Sequence, residues 1–399
     1  MQAIDRLSIV VAGMVAGQPG QGGAAWAVLQ YVLGLRSLGH EVTLIEPVDV
    51  ATAATDAAFA ASPAAAYFRR LAADFGLAGH AALVRAGTTT SVGLSHAELA
   101  SRARRADVLL SISGMLRDPA LTEPVPRRVF LDLDPAFNQM WHAQGVDMGF
   151  DHHTHFVTVG LNVGRPGCGV PTCGRHWITT LQPILLDAWP SGDAIRHAGL
   201  TTVANWRSYG SVEFAGQVYG QKAHAWRRFI DLPRRTDEPC LPALAIHPEE
   251  TRDLAALRAA GWRLLDPAEH CATPADYAAF VRGSKAEFAI AKDGYIRSKC
   301  GWFSDRSVCY LASGRPVIAT DTGLAGHLPT GSGLFACDTI DDVLAAIDAV
   351  NANLPAHRRA ARDLAGDRFD SRRVLPSLLD CVFAGGQDSV RFRKGLGDG

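Results

Sequence analysis

Hydrophobic and polar positions follow two rhythms along this chain. Leu7–Ala12 is a short β-branched run ending in glycine, the pattern of a strand buried on both faces. Ala24–Leu38 changes to helical spacing, with Trp26, Leu29, Val32 and Leu33 on one stripe and Gly39 placed to stop it. Glu41–Ile45 predicts a second strand, so the first residues spell strand, loop, helix, strand, the opening of a doubly wound sheet. Asp107–Ile112, Arg128–Leu133 and Phe156–Gly160 extend the strand series, and the alanine-rich stretch Ala51–Ala82 predicts a helical excursion over the sheet.

The pattern restarts after Trp189-Pro190-Ser191-Gly192. Strands are expected at Leu200–Asn205, Leu241–Ile246, Glu287–Ala291 and Pro316–Thr320, with helices at Gln221–Phe229, Pro274–Gly283 and Asp305–Ser313. Ile340–Val350, Leu354–Leu364 and Arg372–Phe383 read as terminal helices. The expected fold class is α/β, with two Rossmann-like lobes facing a central cleft. Residues 1–189 would form one lobe and 190–371 the other, with a helix in 372–399 returning to the first.

Composition narrows the partners. The 399 residues are 48% hydrophobic, and 39 Lys plus Arg against 40 Asp plus Glu leave a formal charge of -1. A near-neutral chain lacks the basic excess of a nucleic-acid or anionic-membrane binder. Asp5 beside Arg6 spoils a basic n-region, and no apolar run reaches the roughly 18 residues of a spanning helix. The eight cysteines are scattered without a CxxC, which predicts free thiols and a cytoplasmic protein.

Two segments carry candidate chemistry. Gly20-Gln21-Gly22-Gly23-Ala24-Ala25 matches the relaxed dinucleotide fingerprint GxGxxA, with Glu46 ending the next strand. Read literally, it predicts a dinucleotide-dependent oxidoreductase. Met14–Pro19, however, separates the fingerprint from the strand it should follow directly. What remains is a loop whose backbone can approach a ligand at Gly22 and Gly23. The second segment runs from Ala291-Lys292-Asp293-Gly294-Tyr295 through Ser304-Asp305-Arg306-Ser307 to Gly314-Arg315-Pro316-Val317. Ser304 is placed as an N-cap, and the free N–H groups behind it, with Arg306 and Ser307, would seat an anion.

That second segment resembles the C-terminal lobe of GT-B-fold glycosyltransferases, notably the family-four and family-one-like groups. Leu38-Gly39-His40-Glu41-Val42 is similar to the segment after their first helix. The resemblance covers Leu7–Pro47 and Lys285–Gly323, and the middle by element order. It implies a hexosyl- or related transferase that moves a sugar from a nucleotide-activated donor, metal-independent and without a cofactor. Donor contacts would come from Arg207, Lys222, Lys292, Asp293, Gly294, Tyr295, Ser304, Asp305, Arg306 and Ser307. Arg and Lys would meet the charge developing on the departing diphosphate. Arg263 and Asp266 fall where a base-contact loop would be. The paired glutamates of retaining family-four members are absent: Asp293 stands for the first, Gly301 lies eight further on, and Cys309 occupies the second by register. The ribose carboxylate would then move to Asp305. This departure keeps a non-catalytic nucleotide-binding relative as an alternative.

For the acceptor side, Asp132 and Asp134 end a strand where ligands of open α/β sheets gather. Either carboxylate, or His155 of the Asp151–His155 cluster, would serve as base if the reaction inverts. Asn162 is a further acceptor contact. The histidine cluster followed by Cys168 and Cys173 matches no standard zinc spacing, so no metal is expected.

Overall fold

A computed structural model of the chain describes residues 6–49, 55–192 and 194–384. The chain forms two Rossmann-like lobes, as its pattern predicts. The first is a sheet of β1 (Ser8–Ala12), β2 (Glu41–Val48), β3 (Ala81–Arg85), β4 (Ser91–Gly93), β5 (Val108–Ile112), β6 (Arg127–Asp132), β7 (His155–Thr158) and β8 (Trp177–Thr179). Its order is β4-β3-β2-β1-β5-β6-β7-β8, parallel except for the edge strand β4. β1 and β5, buried along their lengths, sit at its centre, which is why both read as unbroken apolar runs.

The second lobe contains β9 (His197–Asn205) and a two-stranded hairpin of β10 (Val212–Phe214) and β11 (Gln217–Tyr219). β12 (Cys240–Ala245), β13 (Ser284–Ala289), β14 (Val317–Thr320) and β15 (Leu334–Cys337) join β9 in a parallel sheet ordered β12-β9-β13-β14-β15. The hairpin leaves this sheet and packs on the first lobe's helix Phe137–Ala143.

The lobes share packed surface. Trp26 of the helix Gly22–Ser37 lies 5.0 Å from the Trp189 ring, and Trp189 lies 6.1 Å from Tyr277 of the helix Pro274–Gly283. The helix Ser371–Phe383 lies on Gly22–Ser37, where a Cβ at Gly34 would stand 2.6 Å from Leu375. The predicted extension of that helix beyond residue 384 lies outside the described residues.

Three expectations change. The alanine-rich stretch is two helices, Asp56–Ala60 and Pro63–Asp74, because Ser62 caps the second and Pro63 sits at its first turn. Ala81 and Ala82 already belong to β3, and residues 51–54 lie outside the described residues. Asp293–Ser298, for which the pattern predicted no element, is a short helix.

Candidate functional site

The carboxyl ends of strands from both sheets open on one cavity of about 890 Å³. Gly20, Gln21 and Gly23 line one side with Leu133 and Asp134, just past β6. Val203–Asn205 of β9 and Leu244–Ile246 at the end of β12 form an apolar slot with Leu264, Leu265 and Pro267. Asp266 and Arg258 stand at this slot. The remaining wall is cationic: Lys222, Lys292 and Arg306, with Ser304 and Asp305.

Each cation is held by its own local structure. Lys222 opens the helix Lys222–Arg227, is buried, and donates from Nζ to the Ile290 carbonyl at 2.9 Å. Burial, and then the Arg306 and Lys292 charges, hold its ammonium well below the usual lysine range. Arg306 lies in the first turn of the helix Asp305–Ala312 and donates from Nε to the buried Glu287 carboxylate on β13. Burial alone would disfavour its charge, but Glu287 beside it keeps the guanidinium firmly protonated. Its Nη2 is buried and makes no hydrogen bond within the described residues. Ser304 precedes this helix without a side-chain cap, and the Asp305 carboxyl, which meets the Asp305 and Arg306 N–H groups of the first turn, is pushed up by burial.

Asp134 faces this wall from the other lobe. Lys292 Nζ donates to its Oδ2 at 2.9 Å, Tyr209 donates to the same oxygen, and Tyr295 donates to Oδ1. Asp132 does something else. Fully buried, it accepts from Asn138 Nδ2 at 2.7 Å, Gln139 Nε2 at 2.6 Å, Thr158 Oγ1 at 2.7 Å and Asp134 N at 3.0 Å. Burial raises its carboxyl to about 6 against those four bonds. The turn it braces contains Ala136 at φ 81°, a left-handed conformation that costs a non-glycine residue on the order of 1–2 kcal/mol. Asp132 is thus a positioning residue for Asp134 and has no free face for a substrate. Asp132→Asn, which turns an amide toward three side-chain donors, is expected to lower stability by about 1–3 kcal/mol. An unchanged urea midpoint would show that the brace carries no such weight.

Several sequence candidates lie elsewhere. His155 begins β7, whereas Thr158 at its end meets Asp132, so the histidine sits about 10 Å along the strand at the wrong end. It pairs with Thr154 Oγ1 at 2.8 Å. Arg207 is neutralised by Glu250 and lies 3.9 Å from Asp253, outside the cavity. Asn162 ties the lobes, donating to the Lys299 carbonyl at 2.9 Å and pairing with His327 at 2.7 Å. Asp293 is consumed by Arg297 and the Gly220 N–H, and Gly294 is a packing position against Phe137. Ser307 is buried behind the cavity wall. Gly22 donates its N–H to the Cys271 carbonyl, which makes it a joint between lobes, while Gly23 does line the cavity. Cys309, standing for the second glutamate, is buried in its helix.

Sequence reading missed Tyr209, Trp302 and Glu287. None has a local motif, although Glu287 is a charge inside an apolar strand, which is a usable signal. Among the described residues, no three His, Cys, Asp or Glu side chains gather as a metal site, and no helix is long and apolar enough to cross a membrane.

No protein-family profile and no curated protein sequence matches the chain. Solved structures do. An α-glucosyltransferase in complex with UDP-glucose and DNA containing an abasic site is 11% identical over 95% of this chain and 99% of its own, with a TM-score of 0.59. HepE of Anabaena, in complex with UDP and glucose, is 11% identical over 94% and 100%, with a TM-score of 0.57. AviGT4, a glycosyltransferase involved in avilamycin A biosynthesis, is 13% identical over 94% and 97%, with a TM-score of 0.54. The chain has the GT-B fold.

Proposed function

We propose that this GT-B-fold protein transfers a sugar from a nucleotide-activated donor to an acceptor nucleophile. One observation carries the reading: Lys222, Lys292, Arg306 and the start of the helix Asp305–Ala312 converge in the cleft opposite Asp134. Arg306 is paired with Glu287 and Lys292 with Asp134, but Lys222 has no carboxylate partner and Arg306 Nη2 no hydrogen bond within the described residues, which leaves donors for a ligand that brings negative charge, as a nucleoside diphosphate does. The apolar slot beside them fits a nucleobase. The first lobe then serves the acceptor and the second the donor, with Asp134 as the carboxylate nearest the acceptor. The solved neighbours that hold UDP or UDP-glucose support a uridine donor for this chain.

The oxidoreductase alternative loses its two anchors. The Gly22 N–H is spent on Cys271, and Glu46, placed for a ribose, accepts from Ala16 N at 2.8 Å and Gly17 N at 2.6 Å. Side-chain cations supply the charge the departing diphosphate needs, so transfer is expected to persist in a chelator.

Calorimetry with UDP-, GDP- and dTDP-sugars is the test, with NADH as control. Lys222→Ala should weaken the nucleotide that binds about tenfold or more, and no binding by any of them would overturn the reading. The pH dependence has a definite sign. Lys222 is depressed in the empty cleft, and a diphosphate beside it raises its pKa, so binding takes up a proton and affinity falls as pH rises. A nucleotide sugar has its diphosphate esterified at both ends and lacks the terminal group that ionises near 6, so above about pH 7.5 its own charge does not change. Binding enthalpies in buffers of different ionisation heat should therefore report uptake there, and proton release would refute the assignment of Lys222.

A further inference from the structure

The contact between Asp134 and Lys292 crosses from the first lobe to the second. Both oxygens of Asp134 are engaged: Oδ2 by Lys292 and Tyr209, Oδ1 by Tyr295. In that state Oδ2 holds two donors and has no lone pair left for an acceptor, while Oδ1 holds one. The ammonium is also boxed in by rings, with Nζ 4.2 Å from the Tyr209 centroid, 5.1 Å from Phe137 and 5.2 Å from Tyr295.

Lys292 has a second attraction. It lines the same cavity as Lys222 and Arg306, close enough to Lys222 to disfavour that ammonium's charge. In the empty cleft the anion within its reach is Asp134. A bound diphosphate offers more negative charge and already has the other two cations around it. A flexible four-carbon side chain with a single charged tip can exchange one partner for the other at little cost in geometry. When it leaves, the two tyrosine hydroxyls remain on Asp134, so the carboxylate keeps its hydrogen bonds and gains an open lone pair.

We infer that Lys292 is a donor-operated switch: it masks Asp134 while the cleft is empty and moves to the diphosphate when a donor binds, exposing Asp134 to the acceptor hydroxyl. This rests on the nucleotide-sugar reading of the cleft. It makes donor-first binding a consequence of one ion pair between the lobes, with no hinge motion required.

The chain has five lysines, which makes the switch visible directly. In protein labelled with 13Cε-lysine, Lys292 is the signal shifted furthest upfield, because three rings surround its tip. UDP, or whichever of GDP, ADP and dTDP binds by calorimetry, should move that signal to the position of a lysine free of rings. In parallel, Lys292→Met should weaken that nucleotide about tenfold. Nucleotide binding that leaves the ring-shifted signal in place, or a Lys292→Met variant of wild-type affinity, overturns the switch and leaves the proposed function standing. Failure of every nucleoside diphosphate to bind overturns both.

Discussion

Replacing Arg306 with alanine is expected to abolish measurable nucleotide affinity and to destabilise the protein by about 3–5 kcal/mol, the cost of leaving a buried charge without its partner. Glu287 on β13 is fully buried. Its Oε1 accepts from Arg306 Nε and, at 3.1 Å, from Thr202 Oγ1, while Oε2 has no partner within the described residues. Without the guanidinium, one hydroxyl is left to solvate a buried carboxylate. The double variant Glu287→Gln with Arg306→Met separates the two effects. Apolar or neutral replacement of a buried ion pair is often tolerated, so the double variant should regain much of the lost stability but none of the affinity. Urea midpoints and calorimetry on the three proteins decide this. A single variant as stable as wild type would show that Glu287 is compensated elsewhere, and retained nucleotide binding would remove Arg306 from the diphosphate seat.

The pair also shows which cavity residues a sequence displays and which it hides. Lys222, Ser304 and Arg306, which line the cavity, were legible because each stands at the start of a helix, where backbone N–H groups and side-chain donors gather. Arg207, just past β9, does not line the cavity. Its charge is spent on Glu250 and Asp253, more than forty residues away, and no local pattern reports that. His155 failed for direction: a polar cluster beside a strand is useful only at its carboxyl end, and His155 begins β7. The central strands β1 and β5 declared themselves through short, mostly apolar, buried runs, and β9 through its β-branched stretch Leu200–Ala204. β8, with three residues, and the hairpin β10–β11 are too short to carry a period. That hairpin turns at Ala215 and Gly216, both at positive φ, and Tyr209 on the segment leading into it completes the site. Glu287, Tyr209 and Asp134 meet their partners only through the folded sheets.

Gly22→Ala is expected to disrupt the joint between the lobes rather than a ligand contact. A Cβ at Gly22 would lie 2.1 Å from the Thr273 carbonyl oxygen and 2.9 Å from that of Cys271. Both obstacles are backbone, so no rotamer change relieves them. Around the same point the Gly22 N–H donates to the Cys271 carbonyl, Trp26 Nε1 to the Pro274 carbonyl at 2.8 Å, and the Tyr67 hydroxyl to the Ala272 carbonyl. Three donors of the first lobe thus grip one short segment of the second. Pushing the segments apart far enough to fit a methyl group weakens all three bonds together. The expected loss is at the upper end of the roughly 1–3 kcal/mol that overpacking costs, or beyond it. Because Gly23 and Cys271 line the cavity, nucleotide affinity should fall as well. Gly20→Ala provides the contrast: its Cβ meets nothing within 4 Å, but its φ of 88° makes the cost one of backbone strain alone, about 1–2 kcal/mol. Proteolysis of the linker around residues 189–196 should report the difference, with Gly22→Ala cut faster than wild type and Gly20→Ala close to it. Equal protection in both variants would mean that the glycine-rich loop is not what holds the lobes together.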